Sequence, residues 1–227
     1  MQQVGYTVID IANWKRRGQY ENFIGYDYPV FSVASRIEVT ELVRFCRRRG
    51  LSVFSTLLYI VSSELNGIEE FRTRITGGVP VLFDVVHPSY VVMYDGDRIA
   101  GKCTPFARDF GDFYARNRAD IAEVRAQKGF VPFEGGCGCG CFYVSCLPWL
   151  DMCSFSNPYN FKDLSQSSIP RITWGRICEE DGRAFVYFDV QMHHALADGF
   201  HAAELINKIA AAAAVAEAYT GGNGDER

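Results

Sequence analysis

The spacing of apolar and polar positions divides the chain into strand-like and helix-like stretches separated by turn residues. Arg183 to Val190 reads RAFVYFDV, an aromatic and β-branched run introduced by Asp181-Gly182, and it predicts a buried strand. Phe200 to Tyr219 is rich in Ala, Leu and Ile with Glu and Lys spaced along it, which predicts a helix. Phe31 to Val39 alternates as a strand does. Thr40 to Arg49 reads as a helix capped by Thr40, its basic end complementing the helix dipole, and Val53 to Leu65 as a more buried helix. Val79 to Val86, Tyr90 to Tyr94 and Arg98 to Cys103 are short strands set apart by Gly-Gly, His-Pro and Asp-Gly turns. Asp109 to Lys128 is an amphipathic helix with Phe110, Phe113, Ile121 and Val124 on its apolar side. A strand opening at Cys141 carries Ser145, and a last one, Ile169 to Arg176, carries Thr173 and Arg176. No repeat or linker interrupts this order. One domain over residues 1–220 is expected, with GGNGDER at 221–227 as a disordered tail.

Composition narrows the function classes. A chain of 227 residues that is 48% hydrophobic can bury one substantial core. The 23 basic and 27 acidic residues leave a net charge of −4, so no nucleic-acid-binding surface is expected. No apolar run reaches the roughly eighteen residues of a membrane span, so no membrane association is expected either. The amino terminus lacks a basic segment followed by an apolar core, so the reading is cytoplasmic, with the eight cysteines reduced by default. Cys137, Cys139 and Cys141 alternate with glycine and would share one face if extended. Their spacing is not that of a structural zinc site, and the simpler reading is a flexible connection entering a strand, with no metal.

Three of the four histidines fall within Gln191-Met192-His193-His194-Ala195-Leu196-Ala197-Asp198-Gly199-Phe200-His201. Imidazole titrates near neutrality and suits proton transfer, and a strand end fixes the ring. Successive strand residues point to opposite faces, so one of His193 and His194 is expected to be structural. A poorly solvated Asp198 would need a cationic or hydrogen-bonding partner. On these residues alone, a packing role and a chemical role stand side by side.

The pattern HHxxxDG followed by Phe-His resembles the active-site signature of chloramphenicol acetyltransferases and, more widely, of coenzyme-A-dependent acyltransferases. The resemblance implies that His194 is the general base. Trp14-Lys15-Arg16 is similar to the family's Trp-x-Arg, which implies an Arg16–Asp198 salt bridge holding the turn. Ser145-Cys146-Leu147-Pro148-Trp149 resembles Ser-x-Leu-Pro-Trp, which implies that the Ser145 hydroxyl donates to the oxyanion. Such donors contribute about 3 kcal/mol.

By the same resemblance, Phe23, Tyr28 and Phe155 belong to the acceptor pocket, Thr173 holds a water in the intermediate's network, and Arg176 lies near the coenzyme's phosphates. Two departures bear on the acceptor: Phe23 stands where the family commonly has tyrosine, and Asn22 where it has phenylalanine. The implied fold is an α/β, two-layer α+β sandwich with a mostly antiparallel mixed sheet flanked by helices. The implied assembly is a homotrimer with interfacial sites, Phe23 and Phe155 facing a neighbour's His194. The implied reaction is acetyl transfer from acetyl-CoA to a hydroxyl of chloramphenicol, inactivating the antibiotic. Lipoyl acyltransferases share a related motif, and condensation domains share HHxxxDG at about twice this length. Another hydroxyl or thiol acceptor, or a non-catalytic binding trimer, are the alternatives.

Overall fold

A computed structural model describes residues 4–130, 138 and 140–221. In chain order the elements are β1 (Tyr6–Val8), α1 (Arg17–Phe23), β2 (Val30–Glu38), α2 (Thr40–Arg49), α3 (Val53–Asn66), α4 (Glu69–Arg72), β3 (Thr73–Thr76), β4 (Val79–Phe83) and β5 (His87–Tyr94). Then follow β6 (Arg98–Cys103), α5 (Phe110–Arg125), β7 (Cys141–Cys146), α6 (Leu164–Ser167), β8 (Arg171–Trp174), β9 (Cys178–Glu180), β10 (Arg183–His193), α7 (Gly199–Ala214) and α8 (Ala216–Tyr219).

The main sheet has seven strands in the order β2-β10-β8-β7-β5-β6, with β9 paired to β10. The β7 pairings with β5 and β8 are parallel and the rest antiparallel, so the sheet is mixed and mostly antiparallel, as expected. Its two faces differ in kind. Val186, Phe188, Val190 and Met192 of β10 point into the core beneath α2, α3 and α7, and α5 covers β5 and β6. The registers Gln191↔Ser32, Asp189↔Thr173 and Thr173↔Ser145 place a second, polar row on the opposite face. Among the described residues no helix covers that row in the middle of the sheet. The segment after β7 crosses it instead, with Asn157 and the Phe155 carbonyl bonded to Gln191.

Several boundaries differ from the sequence reading. β10 runs three residues past Val190, because nine consecutive positions pair with β2 as far as His193↔Val30 and the ladder carries polar residues as well as apolar ones. Thr40 is not a cap: Val39 occupies that position, while the Thr40 hydroxyl donates to Glu38 and accepts from the Ala184 amide. Arg176 lies beyond the end of β8, where its amide turns away to the Leu150 carbonyl at 2.8 Å. A small sheet of order β1-β4-β3 was not foreseen, nor was α1. The C-terminal helix breaks at Val215. Cys103 is disulfide-bonded, against the expectation of reduced thiols, whereas Cys46, Cys146, Cys153 and Cys178 are free. Cys137, Cys139 and the tail from 222 lie outside the described residues.

Candidate active site

At the end of β10 the backbone folds back on itself. The amides of Leu196 and Ala197 donate to the His193 carbonyl, and the His194 amide reaches across to the Pro29 carbonyl at 2.7 Å. The two adjacent imidazoles are thereby separated. His193 is 1% exposed, and its Nδ1 accepts from the Ala195 amide at 3.2 Å. Burial, and secondarily the neighbouring His194, push its pKa down to about 4, so at neutral pH it is an uncharged packing group.

His194 is half-buried at the first position past the strand. Its ring stacks on Phe23 with centroids 4.0 Å apart and planes within 4°, and Phe31 leans on it at 4.9 Å. Nδ1 of His194 is buried with no partner, so Nε2 is the ring nitrogen left for chemistry. Phe23 stacks on the histidine of its own chain. This corrects the implied arrangement, in which that phenylalanine faced a neighbour's histidine. The physical reason is α1, whose last residue is Phe23 and which packs against the turn: Ala195 and Leu196 are fully buried in a small cluster with Tyr20 and Ile75, flanked by Trp14 and Phe23.

Asp198 caps α7. Its side chain accepts from the Phe200 amide at 3.1 Å, and Arg16 Nη1 lies 3.1 Å from the other carboxylate oxygen. Burial pushes the Asp198 carboxyl upward, but the Arg16 hydrogen bond, His201 and the capping amide outweigh it and hold it below the usual range. Arg16 is 5% exposed, with Nε and Nη2 buried and unpartnered, so Asp198 is what balances its charge. The Arg16–Asp198 pair is therefore present as the resemblance implied.

Ser145 is half-buried on β7, directly opposite Thr173 of β8. Thr173 is fully buried and accepts from Asn157 Nδ2 at 3.4 Å. Asn157 also donates to Gln191, whose amide donates to Asp189, and Ser32 donates to the same carboxylate at 2.7 Å. Burial raises the Asp189 carboxyl, against these hydrogen bonds. Sequence reasoning passed over this Ser32–Asp189–Gln191–Asn157–Thr173 chain. The signal available was the polar pair at alternate positions, Asp189 and Gln191, inside an otherwise apolar strand.

Two clefts open on opposite faces of the sheet. One of about 560 Å³ is lined by Tyr28, Phe31, Ser32, Phe155 and Gln191 among others, so it gathers two of the expected acceptor-pocket residues. The other, of about 260 Å³, is lined by Phe54, Cys146, Pro148, Trp174 and Arg176. Burial pushes the Cys146 thiol up to about 11, which makes it a poor nucleophile at neutral pH. Among the described residues no cluster of three or more His, Cys, Asp or Glu could hold a metal ion. No helix among them is long and apolar enough to cross a membrane.

A family model described as "Chloramphenicol acetyltransferase" matches residues 4–210. A chloramphenicol acetyltransferase of Clostridium perfringens is 29% identical over 95% of this chain and 98% of its own length. One of Streptomyces acrimycini is 30% identical over 88% and 91% respectively. Among solved structures, a chloramphenicol acetyltransferase superposes with a TM-score of 0.79 at 24% identity, covering 91% of this chain and 99% of that one. An Azotobacter vinelandii dihydrolipoamide acetyltransferase gives 0.64 at 16% identity over 89% and 88%, a likeness of fold.

Proposed function

This chain belongs to the chloramphenicol acetyltransferase family, and from that premise we propose that it transfers the acetyl group of acetyl-CoA to a hydroxyl of chloramphenicol, inactivating the antibiotic. His194 is the general base. Its ring takes the hydroxyl proton as the oxygen attacks the thioester carbonyl, then delivers that proton to the departing thiolate. The observation that carries the proposal is the contrast between the two histidines: one sealed and held uncharged, the other clamped between aromatic rings with one nitrogen free.

The remaining residues support that step. Ser145 donates to the oxyanion, and Thr173 holds a water in the same network. Arg16 and Asp198 fix the turn that aims the base. Tyr28 and Phe155 line the acceptor cleft and Phe23 backs the imidazole. The smaller cleft takes the coenzyme, with Arg176 meeting its phosphates, so the two substrates approach from opposite faces of the sheet. No acyl-enzyme forms and no cysteine acts. The chain works as a cytoplasmic homotrimer with its sites at subunit interfaces, Phe155 facing a neighbour's His194.

The polar floor of Ser32 and Gln191, together with Phe23 and Asn22 at positions that differ from the family's usual residues, favours one second reading: acyl transfer to a different hydroxyl acceptor. One assay separates the readings. Purified protein is mixed with acetyl-CoA and chloramphenicol, and free thiol is followed. Release with chloramphenicol that falls roughly 10²-fold or more in His194→Ala supports the proposal. Release only with other acceptors supports the second reading, and release undiminished in His194→Ala removes the basis of both.

A further inference from the structure

Glu70 lies far from the motif in sequence, yet it is 7% exposed and stands directly behind the turn that follows His194. Its Oε1 is 3.1 Å from Lys15 Nζ and 3.3 Å from His201 Nε2. His201 in turn lies in the first turn of α7, where Nδ1 accepts from the Asp198 amide at 3.2 Å as half of a capping box. The five side chains close a circuit, because Lys15 and Arg16 are adjacent and Arg16 pairs with Asp198. Burial raises the Glu70 carboxyl, but its hydrogen bonds, Lys15 and His201 outweigh it, so it remains an anion in place.

We propose that Glu70 is a positioning residue for the acetyl-transfer site, acting by fixing the tautomer of His201; the inference rests on the function proposed above. If Nδ1 accepts the Asp198 amide hydrogen, the ring proton is on Nε2, where Glu70 Oε1 receives it. In the other tautomer two things fail together. The Asp198 amide loses its acceptor, and an Nδ1–H points at Asp198 Oδ1, 2.9 Å away, where it competes with the capping amide of Phe200. The carboxylate that sets the shape of the turn then meets a third donor beside the Phe200 amide and Arg16, the cap of α7 loosens, and His194 loses its fixed approach to the cleft. Lys15 shares Oε1 and balances its charge, so Glu70 performs this role without an unpaired buried anion.

The test compares Glu70→Ala with Glu70→Gln, whose side-chain oxygen can still accept from Nε2–H. The expected result is a kcat reduced about 10-fold in Glu70→Ala with KM for both substrates unchanged, restored to within about 3-fold of wild type in Glu70→Gln. Nitrogen-15 NMR of labelled histidine reads the tautomer without any substrate: His201 carries its proton on Nε2 in wild type and Glu70→Gln, and loses that preference in Glu70→Ala. An unchanged kcat in Glu70→Ala, equal losses in both variants, or an unaltered His201 tautomer overturns the inference. A wild-type protein inactive toward every acceptor instead overturns the acetyl-transfer reading, and the NMR arm then still decides the role of Glu70 in the turn.

Discussion

His193 shows how little a residue's identity says about its role. It shares its chemistry with His194, and the turn that ends β10 separates them: one ring is sealed from solvent, the next stands at the first position past the ladder, at the rim of the site. The buried ring leaves a mark on stability. Its pKa is about 4 when folded and 6.5 when exposed by unfolding. Above pH 6.5 both states are uncharged and the ring adds no pH dependence. As pH falls from there toward 4, the unfolded chain takes up a proton that the folded one refuses, and stability drops by roughly 2 to 3 kcal/mol before levelling off. His193→Asn keeps an acceptor for the Ala195 amide but does not titrate. Denaturant unfolding between pH 7 and 4 should show a flatter profile for this variant than for wild type. Equal slopes would mean that the ring is not shut away from water.

At the level of elements, the strands and long helices were legible because their apolar periodicity is strong, and the motif was legible because its residues are contiguous. What escaped reading depends on contacts remote in sequence. The helix α1 has a polar sequence, RGQYENF, and buries only Tyr20, so its period is too weak to announce it; its anchor is the Ala195-Leu196 pair of the motif itself. Arg176 was read as part of a strand because Thr173-Trp174-Gly175 continues the pattern, yet the chain is drawn away there by the Leu150 carbonyl. Gly175 is what allows that approach. A Cβ at this position would lie 2.8 Å from the Leu150 oxygen and 2.9 Å from Met152 Cγ. Gly175→Ala should therefore push the 150–152 segment outward, cost about 1 to 3 kcal/mol of stability, and raise KM for acetyl-CoA more than for the acceptor. Calorimetry and steady-state kinetics together check this, and an unshifted melting temperature would contradict it.

For the whole molecule, the sheet is lopsided: among the described residues, helices bury one face, while the other is covered only in part by the segment after β7. At the β5–β6 end that open face presents Val91, Met93 and Ile99, which are 38%, 38% and 52% exposed. Met93 and Ile99 pair across the strands, so these side chains form one patch, and a second copy of the chain is the occupant the proposed trimer supplies. Sedimentation should give three chains, and Met93→Glu should shift the population toward single chains with a parallel loss of activity; a wild-type monomer with full turnover would exclude interfacial sites.

The polar row of β10 and its apolar row are interleaved position by position, with nine register pairs to β2 leading up to the two imidazoles. An added or missing residue ahead of Asp189, with the pairing to β2 before it kept, would turn Asp189 and Gln191 toward the helices in one step. Length in this strand is thus information of its own: a single exchange of side chain alters one contact, whereas a change of spacing moves both rows at once.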